Sequence, residues 1–335
     1  MIRTTAAALA VLILMSAGAA PAQTPVEFSG FVDAGWSGNL DRRDDAFTVN
    51  QAEVDVTRAW NDQGDLRLDL EWVHDGTTWT TAVEQGWLSW RLPGHAAAVT
   101  LGKFNAPIGW ELPDAPDMLQ HSHGLLFTYC APTNLTGLMF ASPLGAAGFD
   151  LKVYAANGWD QDVETNGVKT FGGRFGWASA DRGGLGISVI SGKDDPGQSV
   201  SRTVLDVDAT YLPTARLTLG AELSLCSVDA GTGSPGWTGV MVVAHAKMST
   251  ALGLTARFDT VSLDTVGAED DLAFAAGFGE RRSSLTIAPV FTLGEGMRAL
   301  AELRLDMSDE DAFVDHDGTP KDSTTSAAFT MTYSF

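Results

Sequence analysis

From residue 26 to the C-terminus, apolar side chains recur at every second position, with polar or charged ones between them. In Leu66-Arg67-Leu68-Asp69-Leu70-Glu71-Trp72, the leucines and Trp72 share one face, while Arg67, Asp69 and Glu71 share the other. Ala299-Leu300-Ala301-Glu302-Leu303-Arg304-Leu305-Asp306 and Arg216-Leu217-Thr218-Leu219-Gly220-Ala221-Glu222-Leu223 repeat the pattern. Phe149, Leu151 and Val153 alternate with Asp150, Lys152 and Tyr154. Successive side chains of a strand point to opposite faces, so each segment predicts a strand with one apolar and one charged side.

A soluble sandwich alternates too, but its strands are usually about five or six residues long. Most segments here run ten to fourteen residues, the length of a tilted strand crossing hydrocarbon. Aromatic residues collect near segment ends (Trp36, Trp60, Trp72, Trp90, Trp110, Trp159, Trp177, Trp237, Tyr211 and Tyr333), where interfacial girdles would lie. Short turns are expected at Asn61-Asp62-Gln63-Gly64, Pro93-Gly94-His95, Pro143-Leu144-Gly145, Ala180-Asp181-Arg182-Gly183, Leu212-Pro213-Thr214, Ser249-Thr250-Ala251 and Gly294-Glu295-Gly296. They alternate with longer polar connections around 37–45, 75–81, 106–135, 158–167, 192–199, 227–236, 263–282 and 308–322. Short periplasmic turns and long external loops are the outer-membrane arrangement. With both chain ends periplasmic the strand number is even, which makes 272–277 an extension of the strand ending at Leu293 and gives sixteen strands. The expected fold is all-β: a closed antiparallel transmembrane barrel of about sixteen strands over 23–335, with Leu66, Leu68 and Leu70 facing lipid.

The N-terminus fits this compartment. Arg3, an apolar stretch at 6–15 and Ala20-Pro21-Ala22 form a secretory signal peptide, expected to be cleaved after Ala22. No cysteine follows the cleavage point, which argues against a lipoprotein. The remaining chain, about 310 residues, could make two soluble domains, but barrels of this length form one unit. Removing Arg3 leaves 20 basic against 42 acidic residues, a net charge of −22. That charge repels nucleic acid. Two cysteines, Cys130 and Cys226, are too few for a disulfide scaffold, although one bridge could form between them.

Specific motifs lie in the middle of the chain. Gly102-Lys103-Phe104-Asn105-Ala106-Pro107-Ile108-Gly109-Trp110-Glu111 runs from a strand into a loop. Pro132 and Asn134-Leu135-Thr136-Gly137 leave that loop, and Asn157-Gly158-Trp159-Asp160 with Asn166, Lys169 and Thr170 marks the next. These stretches resemble the β-barrel porin-2 family, the OmpL-like porins of Gram-negative outer membranes. The resemblance implies one porin-type barrel per chain. His121-Ser122-His123-Gly124 departs from it, standing where a Ser-containing polar run is expected. The closing Phe329-Thr330-Met331-Thr332-Tyr333-Ser334-Phe335 resembles the terminal strand that such barrels present to their assembly machinery, with Phe335 as the recognition aromatic.

Pro107 cannot donate a ladder hydrogen bond and so ends pairing at the strand tip. The 106–135 loop is long enough to be functional, and its apolar Met118, Leu119, Leu125, Leu126 and Phe127 must pack somewhere. It is expected to fold into the barrel mouth as a constriction, with Asp114, Asp117, His121 and His123 as candidate residues. An ordered cap outside the pore is the alternative. Alternation places Arg67, Asp69, Glu71, Arg91, Lys152, Arg174, Glu222, Arg257, Glu302 and Arg304 on the pore lining. It also turns Glu53, Asp55, Asp150, Asp206, Asp208, Asp259, Asp306, Arg216 and Lys247 inward.

Catalysis is not expected. His121, Ser122 and His123 are neighbours on an extended chain and point apart, and there is no Gly-x-Ser-x-Gly or His-Glu-x-x-His run. The two histidines could hold a metal with Asp114 or Asp117, but an unliganded loop is preferred. Asp315-His316-Asp317-Gly318 is a poor calcium loop, because Phe313 stands at the first ligand position. No cofactor is expected. The function expected is passive diffusion of small hydrophilic solutes with a mild cation preference, from acidic residues at Asp114, Asp117, 160–164 and 306–322. A structural or adhesion barrel plugged by its loop is the alternative. Expected surroundings are outer-membrane lipid and lipopolysaccharide, and association of three barrels stays open.

Overall fold

The computed structural model describes residues 24–74, 78–193, 201–229, 236–263 and 280–335. The signal peptide and the 272–277 segment lie outside these residues. The first eight barrel strands are β1 (Glu27–Asn39), β2 (Asp44–Trp60), β3 (Gly64–His74), β4 (Trp79–Arg91), β5 (Ala98–Asn105), β6 (Asn134–Leu144), β7 (Phe149–Ala156) and β8 (Thr170–Ser179). They are followed by β9 (Gly183–Gly192), β10 (Ser201–Thr214), β11 (Leu217–Asp229), β12 (Gly236–Lys247), β13 (Leu252–Leu263), β14 (Arg281–Gly294) and β15 (Met297–Ser308). A small hairpin, β16 (Phe313–Val314) and β17 (Pro320–Lys321), precedes β18 (Ser323–Ser334). Each barrel strand pairs with the next, and β18 closes on β1, giving a closed antiparallel barrel of sixteen strands.

The alternation decides which way each strand faces. Leu88, Leu101, Leu138, Val242, Ile287 and Leu303 form part of an exposed apolar outer surface, which water would not tolerate over such an area and lipid covers. Their neighbours in sequence, such as Ser89, Thr100, Val243 and Glu302, are buried on the inner side. Among the described residues no helix is long and apolar enough to cross a membrane; the crossing belongs to the strands.

Among the described residues the ladder shifts register at four places, and two of these shifts bear on the inner wall. Opposite Asp33 and Ala34 of β1, residue Asn50 of β2 is the extra one. Opposite Asp69 and Leu70 of β3, the extra residue of β4 is Glu84, so Glu84 and Gln85 are consecutive yet both buried. A bulge re-aims a side chain in this way.

Two turns differ from expectation. Pro143 and Leu144 remain in β6, paired with Asp150 and Phe149, and the turn occupies 145–148. Leu212, Pro213 and Thr214 belong to β10, so Arg216 falls in the following turn, exposed, as is Lys247 at the end of β12. Arg216 is therefore a turn residue, while Lys247, at the end of its strand, keeps the inward register of Met241, Val243 and His245. The girdle assignment also needs correction. Trp237 is 1% exposed inside the barrel with Trp159 edge-on to it at 6.5 Å, and Trp110 lies in the loop. Tyr211, Tyr333 and Trp90 are exposed on the outside. Cys130 and Cys226 are buried in one apolar cluster with no disulfide between them.

Candidate functional site

The long connection between β5 and β6 turns into the barrel. Its ends are pinched together by Ala106 N–H donating to Thr133 O at 2.9 Å. Pro107 gives up the ladder, and Gly109 takes a left-handed backbone (φ 85°) that other residues resist. This aims its N–H at Asp206 Oδ1 of β10 (3.2 Å) and the Trp110 N–H at Glu222 Oε2 of β11 (2.9 Å). Trp110 Nε1 donates to Thr210 at 2.9 Å. The Pro107-Ile108-Gly109-Trp110 motif is therefore the step by which the chain leaves the wall and docks on the far side of the lumen.

From there the loop crosses back. A 3-10 turn at Ala115–Asp117 is held by the Ala115 N–H to Gln51 Oε1 of β2 (3.0 Å) and by Arg298 of β15, which donates to Met118 O (2.6 Å) and Ala115 O. The N–H groups of His121 and Ser122 both reach Glu302 Oε2, at 2.7 and 3.0 Å. Helix α1 (Leu125–Tyr129) begins with the Leu125 N–H on Asp259 Oδ1 (3.0 Å). Its Leu126 and the following Cys130 pack with Ile108 against Ile190, Val204, Trp237, Met241 and Val261 of the wall. Here the wall is apolar on its inner face as well, which is where the loop's apolar residues are buried.

Arg257 joins loop to wall most firmly. Its side chain is wholly buried, with Nη1 at 2.6 Å from Glu111 Oε1 and Nε at 2.9 Å from Asp259 Oδ2. It also donates to Ser122 O at 2.7 Å. A buried guanidinium paired with two carboxylates and bonded to a carbonyl is tolerable; the same group left unpaired is not. Arg304 grips Asp306 through Nε (2.9 Å) and Nη2 (2.8 Å), and its Nη1 donates to His123 O (2.6 Å) and Ser122 Oγ (3.0 Å). The Ser122 hydroxyl is thus engaged by two arginines.

The remaining sequence-derived positions are distributed round the inner wall. Arg67 pairs with Asp69 (2.7 Å) and Asp55 (3.5 Å), and Gln51 Nε2 donates to Glu71 Oε1 at 2.7 Å. Arg174 pairs with Asp208 (2.8 Å). Lys152, Arg174 and Glu222 line one cavity of about 280 Å³ between loop and wall. Glu71, His121 and Arg298 line another of about 300 Å³, and His121 with Glu302 a third of about 550 Å³. Arg91 sits at the short-turn rim, paired with Asp65 at 2.7 Å, outside these three cavities. Asp117 is exposed on its 3-10 turn. His123 stacks on Phe127 (ring centroids 3.9 Å apart) with Nε2 at 3.1 Å from Leu112 O. Burial lowers its pKa below that of an ordinary imidazole, so it is neutral at pH 7. Burial, followed by the nearby Glu84 and Asp117 carboxylates, pushes Asp114 up to about 8. Among the described residues, neither histidine is gathered with Asp114 or Asp117 into a ligand set.

Sequence reasoning missed Glu84, Glu111, Arg298 and the apolar inner patch. Glu111 and Arg298 carry no periodic signal that reveals a partner. Glu84 is hidden by the bulge.

The fold has solved counterparts at low identity. The Salmonella typhi OmpF complex with daunomycin aligns with a TM-score of 0.69 at 12% identity, covering 93% of this chain and 98% of that one. An anion-selective porin from Comamonas acidovorans aligns with a TM-score of 0.67 at 12% identity, covering 93% and 100%. The trimer form of in-vitro folded OmpT from Vibrio cholerae aligns with a TM-score of 0.63 at 12% identity, covering 94% and 100%. No curated protein matches the sequence. The profile described as "Putative beta-barrel porin-2, OmpL-like" matches residues 25–335. A closed sixteen-strand wall with a loop folded into its lumen, matched over that length, makes this chain an outer-membrane porin of the OmpL-like β-barrel porin-2 family.

Proposed function

We propose that the protein is a passive channel for small hydrophilic solutes, with a mild preference for cations. The observation that carries the reading is a loop that crosses a sixteen-strand lumen without filling it. Cavities of about 300, 280 and 550 Å³ remain between the loop and polar walls of both signs. Barrels of this strand number enclose an aqueous channel. Residues 1–22 are read as the signal peptide that directs the chain there.

Carboxylates support the cation preference. The acidic balance of −22 after signal removal, 20 basic against 42 acidic, raises cation concentration at the mouth. Lys152 and Arg174 oppose it from within, so a preference rather than exclusion is expected. Reversal potentials across a potassium chloride gradient should show cations favoured, the more so at low salt, because screening sets in beyond about 10 Å at 0.1 M. An anion preference would mean that the basic wall governs permeation.

The second reading, a structural or adhesion barrel closed by its loop, is favoured by the number of loop-to-wall hydrogen bonds. Folded protein without conductance in planar bilayers would establish it. Under either reading the outer surface meets lipid and lipopolysaccharide, and three barrels can associate as in the trimer form of OmpT.

We also read Phe335 as the contact for the barrel assembly machinery. Its N–H donates to Gly30 O at 3.0 Å, and its ring sits so close to Gly30 that a Cβ there would lie 2.9 Å from it. Deleting Phe335 should leave the protein in the periplasm or degraded. Surface labelling of intact cells checks this, and normal insertion of the truncated chain would refute the assignment.

A further inference from the structure

Three carboxylates on the inner wall and loop have been given no partner so far. Glu53 of β2 is 1% exposed and Glu84 of β4 is 4% exposed. Among the described residues, no hydrogen-bond donor reaches either oxygen of Glu53, either oxygen of Glu84 or Oδ1 of Asp114. One oxygen from each lies within 4.8 Å of one from each of the others. Neighbouring polar groups are committed elsewhere. Gln85 Nε2 donates to Asp69 Oδ2 at 2.7 Å, Ser29 Oγ donates to Asp55 Oδ2 at 3.0 Å, and Arg67 is held by Asp69 and Asp55.

This convergence is built. Regular alternation would turn only one of Glu84 and Gln85 inward; the bulge in β4 turns both. The Ala115 N–H bond to Gln51 sets the neighbouring Asp114 against the wall. Two buried carboxylates and a partly buried one, facing one another without donors on these oxygens, demand neutralisation, by shared protons or by a cation. The ligand atoms are all carboxylate oxygens, which suit a hard cation and not a thiolate- or imidazole-seeking metal. Calcium takes such oxygens at about 2.3–2.6 Å in irregular geometry, so oxygens on opposite sides of one ion stand about 4.8 Å apart. Magnesium needs a stricter octahedron and keeps several waters, for which oxygens shut off from solvent leave little room.

We propose that Glu53, Glu84 and Asp114 bind one calcium ion, which ties the loop to the wall formed by β2 and β4. The site stands independently of the channel reading, since it rests on ligands and burial alone. The ion offsets the charge of the acidic side of the lumen and adds a further anchor to those made by Arg257, Arg298 and Arg304.

The test uses the full mature protein, folded in detergent, stripped with a chelator and dialysed against radioactive calcium with magnesium in excess. One tightly held calcium per chain is expected. Glu84→Gln and, separately, Asp114→Asn should weaken it by about tenfold or more. Asp114 is on the loop, so the second variant leaves every strand intact, and heat-modifiable gel migration reports folding of both. Equal calcium binding by wild type and both variants would place the ions on the acidic outer loops and overturn the proposal. Failure of the wild type to bind, with an infrared band of protonated carboxyl that Glu84→Gln removes, would overturn it in favour of shared protons. Loss of conductance with calcium binding intact would count against the channel reading only.

Discussion

Replacing residues 107–132 by a short flexible hairpin should raise single-channel conductance several-fold while the barrel still folds. The loop's ends are already joined by the Ala106–Thr133 hydrogen bond, and β5 and β6 pair from Asn105 with Asn134 onward, so excision leaves the ladder unbroken. What disappears is the material between Glu222 on one side and Glu302 and Gln51 on the other. A lumen bounded by sixteen strands is then obstructed only by its own side chains. The excision also bares Trp237, Met241 and Val261 to water, so thermal stability should fall. Planar-bilayer recordings with a heat-modifiability control decide the matter, and unchanged conductance in folded protein would remove the loop from the permeation path.

Arg257→Met should have the second largest effect. It leaves Glu111 and Asp259 buried without the cation between them. Removing one member of a buried ion pair costs about 3–5 kcal/mol. The loop can relieve that by moving, because Glu111 belongs to it, so the channel is expected to flicker between conductance levels while the wall persists. Adding Glu111→Gln removes one stranded charge and should restore part of the stability. Urea unfolding together with single-channel records measures both effects, and steady wild-type behaviour of Arg257→Met would show that the triad does not hold the loop.

The wall was legible because its two faces differ chemically. Leu66, Leu68 and Leu70 against Arg67, Asp69 and Glu71 leaves no doubt over orientation once the outside is lipid. Legibility failed where the faces resemble each other. In β12, Val240 and Val242 point out while Met241 and Val243 point in, all apolar, because the inner face receives helix α1. Trp237 reads there as an interfacial residue and is an internal one. The pairing of Glu111 with Arg257 joins residues 146 positions apart, and nothing local specifies it. Glu84 was lost for a third reason: one inserted residue moves a side chain to the other face without changing the composition of its strand.

The seam between the first and last strands is fastened at both ends. At the short-turn rim, Gly30 and Phe335 exchange backbone hydrogen bonds at 3.0 and 3.3 Å. At the opposite rim, Leu40 N–H donates to Thr325 O (2.8 Å), and Asp41 accepts from the Thr325 N–H (2.7 Å) and pairs with Lys321 beside the β16–β17 hairpin. Phe31 and Ser334 meet across this seam from about 300 positions apart, so its closure is the most non-local and slowest kind of contact a chain can make. The cylinder cannot be completed until β18 is available to pair with β1, and every earlier species carries two raw strand edges. Such edges pair as readily with another copy as with each other. The fastening at residues 30 and 335 and at 41 and 325 therefore bears on the choice between self-closure and aggregation during biogenesis.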